Sequence, residues 1–284
     1  MSYHDITVVI TTFRSENKII PCLDSINPNL KVLIIENSSN EQFKINIEKK
    51  YKNVKCIISG ENLGYAKGNN FGLSKVKTKY ALIINPDASL EKEAVNNFFI
   101  SAERKPDFCI ISPLIQEEKE RITNKYLNKK DLIEIENVKG FAMFLNMKEL
   151  EDVGYFDENF FIYFEEIDFC RRIKNKKKKI YLDPNISIFH KGGSSHDDTI
   201  NDEMELSRNW HWMWSTFYYH KKYNGFIFSF IKIFPKLFSS ILRMIIYSLI
   251  FNKKKRAIYF ARFSGIINSI RGKKSWYRPN INDN

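Results

Sequence analysis

Three short stretches of this 284-residue chain place acidic or imidazole side chains where they could do chemistry. Asn85-Pro86-Asp87 follows the apolar run Tyr80–Ile84, so Asp87 would stand at the carboxyl end of a strand. A carboxylate there can hold a hard divalent cation, Mg²⁺ or Mn²⁺, whose preferred ligands are oxygens. The competing reading is a Pro-Asp turn that caps a helix beginning near Leu90. Glu165, Glu166 and Asp168 crowd together behind Phe160-Phe161-Ile162-Tyr163-Phe164. Repulsion and desolvation would raise at least one of their pKa values, which is what a general base working near neutral pH needs. Asp168 and Arg172 are also four apart on a helix and can simply pair. His190 precedes Lys191-Gly192-Gly193-Ser194-Ser195, a polar loop able to close over a ligand. Its glycines would let backbone N–H groups approach phosphate oxygens, although a lone histidine is more often structural.

These residues need a scaffold, and the apolar pattern supplies one. Ile6–Ile10, Lys31–Ile35, Val54–Ser59, Tyr80–Ile84 and Phe108–Ser112 are continuous apolar runs, as expected of strands in a sheet covered on both faces. Helical stretches fall between them, near Asn17–Ile26, Gln42–Lys50, Tyr65–Lys75 and Glu91–Arg104, and a further helix and strand are predicted at Glu165–Asn175 and Lys179–Asp183. The alternation predicts an open α/β sheet, Rossmann-like and mostly parallel, flanked by helices, with ligands at the carboxyl ends of its strands. The loops there are small and polar: Thr11-Thr12-Phe13, Glu36-Asn37-Ser38-Ser39, Gly60-Glu61-Asn62-Leu63-Gly64 and Asn85-Pro86-Asp87. No GxGxxG follows the first strand and no GxxxxGK[ST] occurs, which removes the dinucleotide fingerprint and the P-loop. Gln116–Asn137 is charged and unpatterned and reads as a surface excursion.

A hydrophobic content of 43% is enough for a real core. The net charge, 45 − 33 = +12, asks for anionic partners: nucleic acid, an anionic membrane or phosphorylated substrates. No nucleic-acid-binding module is recognisable, so that partner is not expected. Four scattered cysteines form neither a zinc site nor a disulfide framework, and the N-terminus runs straight into a strand without a signal peptide. Together these predict a reducing, cytoplasmic location. From Trp210 the chain becomes aromatic and then very apolar over Gly225–Phe251, interrupted by Lys232, Lys236 and Arg243, so its uncharged runs are too short to span a bilayer. Ser229, Lys232, Lys236, Ser240, Arg243 and Tyr247 trace one narrow polar stripe, the pattern of amphipathic helices kinked near Pro235. Such helices, followed by Lys253-Lys254-Lys255-Arg256, can lie in an anionic membrane interface, or pack on the main domain or a second subunit as a homo-oligomer. The expected organisation is a main domain over 1–220 and a C-terminal helical extension over 221–284.

The loops also carry a resemblance. Val8-Val9-Ile10-Thr11-Thr12-Phe13, Asn62-Leu63-Gly64-Tyr65-Ala66-Lys67-Gly68-Asn69-Asn70, Ile84-Asn85-Pro86-Asp87 and Phe164-Glu165-Glu166-Ile167-Asp168-Phe169-Cys170-Arg171-Arg172 occur in the order found in family 2 glycosyltransferases. Within that family the sequence is most similar to the rhamnosyltransferase-like bacterial enzymes of surface polysaccharide assembly. The match runs from about Ile6 to Ser195. It implies a GT-A fold, inverting chemistry, a nucleotide-sugar donor and a Mg²⁺ or Mn²⁺ cofactor.

The resemblance assigns roles residue by residue. Asp87 corresponds to the last acid of the DxD-type metal motif, with Asn85 in place of the first. His190 corresponds to a histidine that contacts metal or diphosphate. The base is commonly the second acid of an aromatic-Glu-Asp-x-Asp motif; here that position is Glu166, with Asp168 in reserve and Glu165 beside them. Thr11, Thr12 and Phe13 would hold base and ribose, Glu36 would reach the pyrimidine, and Asn37 follows it. Asn62, Gly64 and Lys67 begin a helix whose N-terminus and lysine charge suit a diphosphate, while Gly64 and Gly68 also fit tight helix-on-strand packing. Gly140-Phe141-Ala142-Met143 resembles a segment lining the sugar pocket. The expected reaction moves a sugar, L-rhamnose from dTDP-rhamnose in the first instance, to a lipid-linked glycan at the inner face of a bacterial plasma membrane. A UDP-hexose or UDP-HexNAc donor fits the same motifs. The Glu166 and Asn85 replacements also leave open an inactive relative acting as an assembly subunit.

Overall fold

The computed structural model describes residues 2–115, 131–190 and 195–280. Most of the Gln116–Asn137 excursion and Lys191–Ser194 of the polar loop lie outside them. The chain divides into two compact units, Met1–Phe156 with Glu166–Asp197, and Asp157–Glu165 with Asp198–Asn284. Position 220, where the composition changes, falls inside a long helix of the second unit.

In the first unit the apolar runs become β1 (Ile6–Thr12), β2 (Lys31–Glu36), β3 (Val54–Ile58), β4 (Tyr80–Ile84) and β6 (Phe108–Ile115). Helices α1 (Ile19–Ser25), α2 (Glu41–Lys50), α3 (Gly64–Leu73) and α4 (Ala94–Arg104) alternate with them. Among the described residues they join β5 (Ala88–Leu90), β7 (Ile133–Glu134), β8 (Ala142–Asn146) and β9 (Lys179–His190) in one nine-stranded sheet, ordered β3-β2-β1-β4-β8-β6-β9-β5 with β7 also on β9. β1 to β4 are parallel, and β8, β5 and β7 run against their neighbours. The strand order reverses between β1 and β4, the switch point where open α/β sheets bind ligands. Every residue of β4 and β8 is buried, the signature of a sheet covered on both faces. Helix α3 lies hard on it: a Cβ on Gly68 would sit 2.7 Å from Thr11 Cγ2, and one on Gly72 2.5 Å from Val9 Cγ1. The packing explanation for Gly68 is therefore met in full.

Two elements differ from the sequence expectation, and both shape the site. Asp87 does not cap a helix; it leads into β5, and α4 starts only at Ala94, after a Glu93 that makes no side-chain cap. β9 does not stop at Asp183. It passes an irregularity at Asp183–Ser187 and continues to His190, where it pairs antiparallel with β5. The extra pairing was hidden because Pro184 and Asn185 interrupt the apolar pattern.

The second unit is a helical hairpin of α6 (Asn201–Leu249) and α7 (Lys253–Ile270). α6 breaks at Gly225, with φ 79° and ψ 172°, giving segments 201–224 and 226–249; Pro235 is carried inside the second without a break. A left-handed φ is open to glycine at little cost, whereas a single proline removes one hydrogen bond and can be absorbed, so the turn falls ten residues before the expected kink. α7 returns so closely that a Cβ on Gly265 would lie 2.3 Å from the Trp210 carbonyl oxygen. Trp210 Nε1 donates to Ser264 Oγ at 3.2 Å and Trp214 Nε1 to the Lys273 carbonyl at 3.0 Å. His211 is buried, with Nε2 2.9 Å from the Tyr277 carbonyl and Nδ1 2.8 Å from Ser275 Oγ; burial pushes its pKa down to about 3, so a neutral ring pins the tail.

The polar stripe of α6 is divided: its serines are buried, and Lys232, Lys236 and Arg243 are exposed. Ser229 and Ser240 are buried against the hairpin, their hydroxyls bonded back to the Gly225 and Lys236 carbonyls. Phe228, Ile231, Phe234, Phe238, Ile245 and Leu249 are exposed as well. By length and composition α6 can cross a membrane, and only 17% of its most apolar window is buried.

Candidate active site

Three groups of side chains converge at the carboxyl ends of β4 and β9 and the amino end of the antiparallel β8. Because Ala88 pairs with His190, the residue before β5 and the last residue of β9 become neighbours, and His190 Nε2 stands 3.4 Å from Asp87 Oδ1. Burial pushes the Asp87 carboxyl up, but its contacts with His190 and Ser195 outweigh this and hold it below the ordinary carboxylate value. Asp87 is therefore an anion at neutral pH, facing an imidazole nitrogen.

Phe141 fixes the imidazole. Its ring stacks on His190 with centroids 4.9 Å apart and planes 17° from parallel, and its carbonyl accepts from Asn85 N at 2.8 Å. Gly140, one residue earlier, accepts from the Tyr65 hydroxyl, and a Cβ built on it would lie 3.8 Å from Glu166 Cβ. One dipeptide thus packs on His190 through Phe141 and lies near Glu166 at Gly140.

Glu166 stands in the first turn of α5 (Glu165–Asn175). Desolvation pushes its carboxyl above the ordinary value, only partly offset by the backbone N–H groups of Glu166 and Ile167. Its Oε2 is buried and has no hydrogen-bond partner among the described residues. A buried acceptor left open in this way is ready for a substrate hydroxyl. Two consecutive non-glycine residues with left-handed φ, Tyr163 at 70° and Phe164 at 72°, enter the helix just before it. Such strain persists where surrounding structure enforces it and is common at functional sites.

Asp168 does different work. It is fully buried and accepts from Arg172 Nε at 2.9 Å, while Arg172 also donates to the Val153 carbonyl at 2.8 Å and to the Tyr155 carbonyl. The pair ties α5 to the preceding loop. Asp168→Ala should lower stability by about 2–3 kcal/mol, because it strands a guanidinium among carbonyls. Chemical denaturation would read this as a shifted midpoint with an unchanged slope.

The early-loop residues are distributed less simply. Glu36 is 1% exposed, and its carboxylate is turned into its own loop, accepting Ser38 N and Asn40 N, each at 2.8 Å, and the Ser38 hydroxyl. Thr11 and Asn37 lie against the Gly68 position of α3, and Asn37 Nδ2 donates to the Gly64 carbonyl at 3.2 Å. Thr12 Oγ1 reaches the Ile35 carbonyl at 3.4 Å. Asn62 Oδ1 accepts from Gly64 N at 3.1 Å, and Gly64 opens α3 at φ 74°. Lys67 pairs with Glu61 at 3.1 Å on the surface. Phe13 remains half-buried at the β1 loop, where the chain after the polar loop returns: Ser15 Oγ donates to the Ser195 carbonyl at 2.6 Å and Asp197 N to the Arg14 carbonyl at 2.7 Å. Tyr65, Phe141 and Ser195 are contributors that motif spacing alone did not single out. Phe141 could have been found, since its segment was recognisable and an aromatic there needs a partner.

A family profile described as Glycosyl transferase family 2 matches residues 7–183, the span that holds every strand end of this site but His190. The chain belongs to glycosyl transferase family 2. The chain is 25% identical over 200 residues to the low-salt glycan biosynthesis hexosyltransferase Agl10 of Haloferax volcanii, covering 62% of this chain and 64% of that one. Over 98 residues it is 30% identical to the teichoic acid poly(glycerol phosphate) polymerase of Staphylococcus epidermidis, covering 32% of this chain and 14% of the polymerase. It thus spans less than two thirds of the length of either curated relative. Among solved structures, the mannosyltransferase PcManGT of Pyrobaculum calidifontis, in complex with GDP-Man and Mn²⁺, superposes with a TM-score of 0.58 at 12% identity, over 95% of this chain and 88% of that one. That likeness shows the GT-A fold.

Proposed function

We propose that this glycosyltransferase moves a hexose from a nucleotide diphosphate donor to a glycan acceptor with inversion, using Glu166 as the base. The observation that supports the reading is the Gly140–Phe141 dipeptide: Phe141 stacks on His190, and a Cβ built on Gly140 would lie 3.8 Å from the Cβ of the desolvated Glu166. The acceptor hydroxyl attacks the anomeric carbon, its proton passes to Glu166, and the carbon–oxygen bond to the diphosphate breaks. Asp87 and His190 fit a divalent cation: a carboxylate oxygen and an imidazole nitrogen face each other at 3.4 Å. Among the described residues no third His, Cys, Asp or Glu joins them, so diphosphate oxygens and water would fill the remaining positions. A nitrogen ligand favours Mn²⁺ over Mg²⁺. Bound there, the cation would neutralise charge developing on the leaving diphosphate.

The preferred donor is dTDP-L-rhamnose and the preferred acceptor a lipid-linked surface glycan at the inner membrane face. The outward apolar face of α6 supports a peripheral membrane location, because a row of exposed Phe, Ile and Leu is stable in an interface and costly in water. Thermal melting with dTDP, UDP, GDP and their sugars, each with Mg²⁺, Mn²⁺ or EDTA, tests the donor site. A hundredfold excess over Kd adds about 2.7 kcal/mol and raises Tm by several degrees. Stabilisation by dTDP-rhamnose that EDTA removes is the expected result; a response confined to UDP or GDP would reassign the donor, and no response from any nucleotide would overturn the reading.

A further inference from the structure

Four successive cations open α7, Lys253-Lys254-Lys255-Arg256, and its first turn holds no acid to balance them. This is unfavourable electrostatics, since the positive end of a helix dipole normally attracts acids and repels bases. Two of the four are accounted for. Lys254 pairs with Asp202 at 2.6 Å and lies 3.8 Å from Glu205, and Lys255 sits over the Tyr247 ring at 5.3 Å. Lys253 and Arg256 have no acidic partner among the described residues, and both line a pocket of about 560 Å³ at the hairpin tip. Apart from Ser248, whose hydroxyl is bonded back to the Met244 carbonyl, the rest of that pocket is apolar, walled by Met244, Ile245, Leu249, Ala257 and Phe260.

We infer that this pocket binds one anionic phospholipid, its phosphate between Lys253 and Arg256 and the upper part of one acyl chain against the apolar wall. The inference rests on the membrane location proposed for α6 and adds a headgroup site to it. Continuity favours a lipid over a soluble anion: the lining residues Leu249 and Lys253 flank Ile250 and Phe251 in the chain, which are 61% and 89% exposed. Charge complementarity favours it over a second copy of this +12 chain.

Full-length protein should be sedimented with vesicles of phosphatidylcholine alone and with about 30% phosphatidylglycerol. The readout is the ratio of the two partition coefficients. The wild type should give a ratio of about tenfold or more, since each cation near an anionic surface contributes a several-fold preference. Lys253→Gln with Arg256→Gln should remove most of that ratio. Lys254→Gln with Lys255→Gln, which removes the same formal charge, should keep it. Ala257→Phe fills the pocket without altering charge and should lower the ratio too. Equal losses from the two charge-matched doubles, or a full ratio in Ala257→Phe, would show diffuse attraction and overturn the pocket. Strong binding without preference for phosphatidylglycerol would overturn the pocket and leave the membrane location standing. No binding to either vesicle would overturn both.

Discussion

Glu166→Gln should lower kcat by about 10²–10⁴-fold while leaving Tm unchanged or raised. The two halves of this expectation share one cause. Burial raises the folded-state pKa of Glu166 above its ordinary value of 4.5. Below that value the carboxyl is protonated in both folded and unfolded chains and favours neither. The unfolded chain ionises near 4.5 and the folded chain only at higher pH, so stability is lost as pH rises from 4.5 to the folded-state pKa. Glutamine keeps the shape, abolishes the charge and relieves that loss. It also removes the proton acceptor. The wild-type kcat/KM should therefore fall on the acid side with an apparent pKa above 4.5, and the variant should lose that limb. A variant with near-normal turnover would transfer the base role elsewhere in the acidic cluster. Paired measurement of the pH–rate profile and Tm separates catalysis from folding, because a misfolded variant would lose both together.

Asp87→Ala should reduce transfer by about 10³-fold or more, as expected when electrostatic stabilisation of a leaving diphosphate is lost. The same variant should lose the part of nucleotide stabilisation that depends on Mn²⁺. The sign of its stability effect is opposite to that at Glu166. Contacts with His190 and Ser195 outweigh burial and hold the folded pKa below 3.8, so Asp87 adds stability above 3.8 that disappears as pH falls through the folded value. The variant should melt slightly lower at neutral pH, still cooperatively, and the difference should close in acid. Titration of manganese into both proteins with dTDP present provides the direct check: equal metal affinity would remove Asp87 from the site.

Much of the scaffold was legible in the sequence for a simple reason. β1, β4 and β6 are buried on both faces, so their apolar runs are continuous and their ends are marked by polar loops. α2 announces itself by an Asn40 cap, whose side chain accepts from Phe43 N, and by lysines in its last turn. The acids near α5 could be named individually because their spacing distinguishes an i,i+4 partner from one without it. Asp168 has Arg172 four residues on, and the structure pairs them.

What the sequence by itself determined was which residue types stand at which strand ends, and through them the family. Only tertiary structure decided which of those ends meet. Asp87 and His190 are far apart in the chain and touch because β5 pairs antiparallel with β9, a register set by backbone hydrogen bonds across the sheet. Glu36 and Lys67 carried suitable charges, yet one is spent on its own loop amides and the other on Glu61, since a nearby partner costs less ordering than a distant one. The burial of α6 was likewise decided only by its packing. Ser229, Ile233 and Ser240 are buried, with Ile233 packed on Ile266 of α7, while Lys232, Lys236 and Arg243 share the outer surface with Phe228, Phe234 and Phe238.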